Sequence, residues 1–112
     1  MILSIPLSTY NRQFLFLLPA VKNNIMERGI FIRIIYSTTN VSFYGLFIHI
    51  KNEPVCKLNE IEKDILQAHK TNKMPTYTIE KHSFRNPLKS ILKISGIWEN
   101  DNHYGLAYKF IE

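Results

Sequence analysis

Cysteine is almost absent: one occurs in 112 residues, Cys56. An internal disulfide framework is therefore excluded, which fits a reducing compartment. With Val55 and Lys57 beside it and no CxxC, Cys56 reads as a buried or half-buried thiol acting as a small hydrophobe. Glycine is scarce, four in all, and none builds a GxGxxG or a P-loop. The nucleotide-cofactor motifs are missing and no cofactor is expected. The four histidines, His49, His69, His82 and His103, form no HxxxH and lie at no ligand spacing from Cys56, so no metal site is expected. The nearest approach to a nucleophile–base set is Cys56 with a histidine brought up by the fold. The expectation is a protein that is not an enzyme.

Long apolar runs are also lacking. None approaches the ~20 residues of a membrane span. In "RQFLFLLPAV" (12–21) the apolar core is only Phe14 to Leu18, too short for a signal peptide. The sequon Asn40-Val41-Ser42 then carries no weight, because it matters only in secreted chains.

What remains is a hydrophobic content of 46% and an aromatic content of 12%, enough for one folded domain over 1–112. The net charge is +5, and it is concentrated. Residues 70 to 93 carry Lys70, Lys73, Lys81, Arg85, Lys89 and Lys93 against Glu80 alone, and the rest of the chain balances. Such a segment favours anionic partners; the plain alternative is a solvated basic surface.

Strand patterns dominate. "ILSIPLS" (2–8) alternates, with Pro6 marking an edge or bulge. "QFLFLL" (13–18) is a short buried run, and 19–29 reads as a loop. "IFIRIIYS" (30–37) is β-branched and aromatic. After the turn "STTN" comes a long strand, "VSFYGLFIHIK" (41–51), so 30–51 is expected to be a hairpin, with Gly45 at a bulge or close approach. "KLNEIEKDILQAHK" is the one helix: Asn59 caps, Glu62 completes a capping box, and Leu58, Ile61, Ile65 and Ala68 form an apolar stripe. "TYTIEKH" (76–82) alternates as a strand, "FRNP" is a turn, and 90–111 is a second hairpin. The expected class is mainly β with one helix (α+β), largely antiparallel: a small barrel or sandwich, nearest to an oligonucleotide-binding-type barrel.

If "ENDNH" is the turn of the last hairpin, Trp98 faces Tyr104, Gly96 faces Leu106, Ile94 faces Tyr108 and Leu92 faces Phe110. These eight share one apolar face, the core, because side chains alternate with period two. The other face holds Ile97, Gly105, Ser95 and Ala107, and it opposes Lys93 to Lys109. Like charges directly opposed destabilise a strand pair, and small neighbours leave the backbone open. That surface suits a phosphate backbone.

The stretches "FIRIIYSTTNVSFYGLFI" (31–48) and "ILKISGIWENDNHYGLAYKF" (91–110) resemble a family of small uncharacterised proteins encoded by large DNA viruses of eukaryotes. The resemblance implies a viral context, with host cytoplasm or virion as the setting, and leaves a virion structural role open. Two functions are therefore carried forward. In the first, the chain binds single-stranded nucleic acid weakly and without sequence preference. Lys81, Arg85, Lys89, Lys93 and Lys109 serve as phosphate contacts, and Tyr77 and Phe84 as aromatic partners. In the second, it is a minor virion component or a homo-oligomeric scaffold.

Overall fold

The computed structural model describes residues 4–23, 29–38, 42–51, 53–83 and 89–111. Its strands are β1 (Ile5–Pro6), β2 (Leu15–Leu17), β3 (Val21–Asn23), β4 (Gly29–Ser37), β5 (Ser42–Tyr44), β6 (Leu46–His49), β7 (Met74–Thr76), β8 (Ile91–Glu99) and β9 (His103–Ile111). Its α-helices are α1 (Val55–Gln67) and α2 (Ile79–Ser83). Strand occupies 48% and helix, counting the 3-10 turns Leu7–Thr9 and Arg12–Phe14, 25% of the described residues, a mainly β, α+β chain.

β8 is the central strand. β9 lies antiparallel along the whole of one edge. The opposite edge is shared: β6 pairs with Ile91–Ile94 and β4 with Gly96–Glu99. The sheet therefore forks along β8. Gly45 makes the fork possible. Its φ of +95° is open to glycine at little cost, and a side chain there would sit 3.0 Å from the Ile94 carbonyl oxygen. The expected strand over 41–51 is accordingly two strands. β5 stays with β4 at Tyr36↔Phe43 and Ser37↔Ser42, while β6 crosses to β8, so the 30–51 hairpin survives only at its tip. Two short parallel pairs, β1 with β6 and β7 with β9, make the sheet mixed. Pro6 sits in the edge strand β1, where its missing N–H costs no ladder bond. Val21–Asn23, expected in a loop, pairs with Gly29–Phe31 as β3. The turn expected at 84–87, and residues 39–40 of the turn expected at 37–40, lie outside the described residues.

The helices cover one face. Leu58, Ile61, Ile65 and Leu66 of α1 and Ile79 of α2 are buried against Ile32, Ile34, Leu46, Ile48, Leu92, Ile94, Ile97, Leu106 and Phe110. α1 begins behind Pro54, four residues before the expected cap. Asn59 and Glu62 do not form a capping box. Asn59 donates to Glu80 across to α2 (3.0 Å). Glu62 is fully buried and accepts the backbone N–H groups of Thr78 (3.0 Å) and Ile79 (3.3 Å). That carboxylate supplies acceptors for the first turn of α2, where alternation had pointed to a strand over 76–82. A tertiary contact overrode the local period. Cys56, expected buried or half-buried, is exposed in the first turn of α1.

The β8–β9 hairpin keeps the expected register from Ile91↔Ile111 to Ile94↔Tyr108, including Lys93↔Lys109. At Ser95 one extra residue is inserted, and beyond it Gly96 faces Ala107, Ile97 faces Leu106 and Trp98 faces Gly105. The bulge reverses the parity of β8. Ile97 enters the core and Trp98, expected there, moves to the other face with its ring over Gly105, where an added Cβ would lie 2.7 Å from it. The turn is the three residues between Glu99 and His103 rather than all of "ENDNH". The side-chain oxygen of Asn100 accepts the N–H groups of Asn102 (3.0 Å) and His103 (2.7 Å). Lys73 (3.1 Å) and His69 (2.9 Å) converge on the half-buried end of this hairpin at Glu99.

Candidate nucleic-acid interface

Alternation within the strands places a defined set of side chains on the face away from the helices. Where β4 buries Ile32, Ile34 and Tyr36, it turns Phe31, Arg33 and Ile35 outward. β6 buries Leu46 and Ile48 and turns out Phe47 and His49. The bulged β8 contributes Lys93 and Trp98, and β9 contributes Gly105, Ala107 and Lys109.

Register orders these residues into rows across the strands. One row runs Val21, Phe31, Trp98, Gly105. The next runs Arg33, Gly96, Ala107. A third runs Phe47, Lys93, Lys109. Directly paired side chains stand about 5 Å apart at Cβ, so Phe31 and Trp98 are cross-strand neighbours, with Arg33 two residues along β4 on the same face. Lys93 Nζ lies 5.6 Å from the Phe47 ring centroid, a cation–π contact that holds the ammonium over the sheet. Gly96 and Gly105 lie against the Phe31 and Trp98 rings, and Ala107 adds only a methyl beside them. Gly96 also has a structural reason: a Cβ there would lie 2.3 Å from the Ile32 carbonyl oxygen.

The electrostatics of this face are of one sign. The described strand residues turned outward include no carboxylate, and no described carboxylate pairs with Arg33, Lys93 or Lys109. Lys93 and Lys109 are held opposite one another in the ladder, an arrangement that an anion bridging them relieves. Glu99, the one acid of β8, lies on the core face. Burial would raise its pKa, but hydrogen bonds from His69, Lys73 and Thr71 outweigh burial and hold it below the usual range.

At the fork the face deepens into a cleft of about 370 Å³, lined by Phe31, Arg33, Tyr44, Gly45, Lys93 and Ser95. Tyr44 is 85% exposed, because the turn of the backbone at Gly45 puts it and Phe47 on the same side.

The basic segment expected to act as a unit is divided. Lys93 and Lys109 come together on the open face. Lys81 is exposed on α2, in the helix layer on the opposite side of the sheet. Tyr77 is also on the helix side, with Lys63 Nζ 5.7 Å from its ring centroid. Lys73 is engaged with Glu99 and with the Asn100 carbonyl oxygen (2.7 Å). Lys89 is half-buried before β8 and has a partner. Phe84 and Arg85 lie outside the described residues. The sequence reading missed Arg33, Phe31 and Trp98 as members of this face. Arg33 was legible as the one charge in an otherwise apolar strand. Trp98 was hidden by the bulge, whose signal is the Ser95-Gly96 pair inside a strand.

Among the described residues no three His, Cys, Asp or Glu side chains converge as metal ligands do, and no helix is long and apolar enough to cross a membrane. No known family model, functionally characterised protein or solved structure matches the chain.

Proposed function

We propose that the open sheet face binds single-stranded nucleic acid, weakly and without sequence preference, and that the chain is a binding module rather than an enzyme. The observation that carries this reading is the set of three cations, Arg33, Lys93 and Lys109, on a carboxylate-free described surface beside Phe31, Trp98 and Tyr44. Proteins of this kind join a positive track for the backbone with rings on which bases stack, each stack worth ~1–3 kcal/mol. Every base has a π face, and phosphate contacts position a strand without specifying its sequence, so the same features argue against base selectivity. A duplex presents phosphates but hides its base faces, which favours single strands. The small barrel of the oligonucleotide-binding type belongs to this reading, as does the setting in the host cytoplasm or virion of a large DNA virus, which rests on the resemblance of residues 31–48 and 91–110.

Each neutralised phosphate on a single strand gives a log–log salt slope of ~−0.7, so three contacts give about −2. Affinity for a labelled oligonucleotide, followed by fluorescence anisotropy, should then fall about fifteenfold between roughly 50 and 200 mM salt. The double reversal of Lys93 and Lys109 to Glu should flatten the slope for all sequences alike. Absence of binding at low salt, or an unchanged slope after the reversal, refutes the reading.

One observation favours the scaffold alternative. Phe16 (52%), Val21 (52%) and Tyr44 (85%) are large exposed apolar side chains turned to this same face. A stable oligomer in light scattering that persists at high salt, together with no oligonucleotide binding, supports that alternative.

A further inference from the structure

We propose that the cleft at the sheet fork seats a single nucleotide unit, with its phosphate between Arg33 and Lys93 and its base against the Tyr44 ring. This rests on the nucleic-acid reading of the open face and assigns the cleft a distinct part in it.

The fork is what opens the cleft. β4 and β6 part company along one edge of β8, and the chain crosses between them at Gly45. Gly45 and Ser95 bring no bulk to the crossing, so the backbone forms the floor. The volume of about 370 Å³ lies at the lower end of the range for small-ligand sites, the scale of one nucleotide and not of a folded partner. The lining separates by chemistry. Arg33 and Lys93 stand on adjacent strands and supply the cations, Arg33 as a planar fork that matches a phosphate in two-pronged geometry. Phe31 and Tyr44 supply the rings. Along β4, Arg33 lies between Phe31 and Ile35, the residue beside Tyr44, and residues two apart on a strand are separated by about 6.6 Å. A charge flanked by rings at that spacing is what a phosphate flanked by bases requires.

Tyr44 has the clearest signature. It is 85% exposed and adds little to the core, yet it is one of the residues that line the cleft. Removing it therefore separates binding from folding.

The test uses the full chain and three small probes followed by amide shifts in NMR: adenosine 5′-monophosphate, adenosine and ribose 5-phosphate. The monophosphate should bind in the millimolar range and shift Gly45 and Ser95. Adenosine and ribose 5-phosphate should each bind about tenfold more weakly, because each offers half of the recognised chemistry. Tyr44→Ala should weaken the monophosphate about fivefold or more with an unchanged far-ultraviolet spectrum, and Tyr44→Phe should restore it. Ribose 5-phosphate binding as well as the monophosphate overturns the proposal, as does an unaltered affinity in Tyr44→Ala or no shift at Gly45 and Ser95. If an oligonucleotide binds with the expected salt slope while the monophosphate leaves the cleft unmoved, the cleft proposal fails and the broader reading stands. If the monophosphate seats there and no oligonucleotide binds, the cleft stands and the broader reading fails.

Discussion

Replacing Glu62 by alanine should destabilise the protein by about 2–4 kcal/mol, although Glu62 touches nothing on the open face. Its carboxylate is fully buried and accepts two backbone N–H groups, those of Thr78 and Ile79, at 3.0 and 3.3 Å. Removing it leaves both donors without their acceptor, the second beside a fully buried Ile79, and an unmet buried donor costs ~1–3 kcal/mol. The one methylene lost, Cγ, adds ~0.8 kcal/mol. Relief from burying a carboxylate acts the other way, and that cost is real: burial raises the pKa of Glu62 more than the two backbone hydrogen bonds and the nearby His82 lower it. Urea unfolding, read by the fluorescence of the single tryptophan, Trp98, should show a midpoint lower by about 1–2 M at a slope typical of small domains. Glu62→Gln keeps one acceptor and should fall between. The pH dependence has a definite sign. A pKa raised in the folded state means that the unfolded chain gives up its proton first, so this contribution is full below the unfolded value of about 4.5 and is lost as pH rises through the folded value. Gln does not titrate, so the gap between wild type and Glu62→Gln should be widest at low pH and shrink as pH rises. A midpoint unchanged in Glu62→Ala, or a gap that widens with pH, refutes this account of how α1 holds α2.

Glu99 should behave oppositely. Its pKa is held low, so its contribution is present above about 4.5 and is lost as pH falls through the folded value; Glu99→Gln should flatten the acid limb of the stability curve measured by urea titration at several pH values. Gly96→Ala should cost at least ~1–3 kcal/mol in the same denaturation assay, because its Cβ would lie 2.3 Å from the Ile32 carbonyl oxygen and backbone must move. In urea unfolding followed by circular dichroism, Leu92→Ala, fully buried, should cost ~2–5 kcal/mol, whereas Trp98→Ala, which removes the fluorophore, should cost clearly less and instead weaken oligonucleotide binding. A larger loss of stability for Trp98 than for Leu92 would return the ring to the core.

Much of the frame was legible in the sequence because local pattern and tertiary environment agree there. The strand expected over 30–37, the half of the final hairpin from Ile91 to Ile94 with its partners, and the Leu58, Ile61 and Ile65 stripe each follow one uninterrupted period. The misreadings share a cause: a single residue changed the parity or supplied a distant partner. Gly45 divided one strand and sent its two halves to different neighbours. The inserted residue at Ser95 exchanged Ile97 and Trp98 between faces. Glu62, read as a cap for its own helix, turned out to accept from another. The candidate site was legible only at Lys93 and Lys109, whose opposition depends on the undisturbed half of the hairpin. Arg33 joined them through the pairing of β4 with β8, a contact between segments more than sixty residues apart in sequence that no local period encodes.

The most direct test of the central claim is a map of backbone amide shifts on adding an oligonucleotide of about ten nucleotides, within the usual site size for such surfaces. Shifts should concentrate at Phe31, Arg33, Gly45, Lys93, Ser95, Trp98, Gly105 and Lys109, fade as salt is raised, and spare the exposed residues of α1 and α2, Lys81 among them. Shifts centred on Lys81 and the helix layer, or no shifts at low salt, would contradict it.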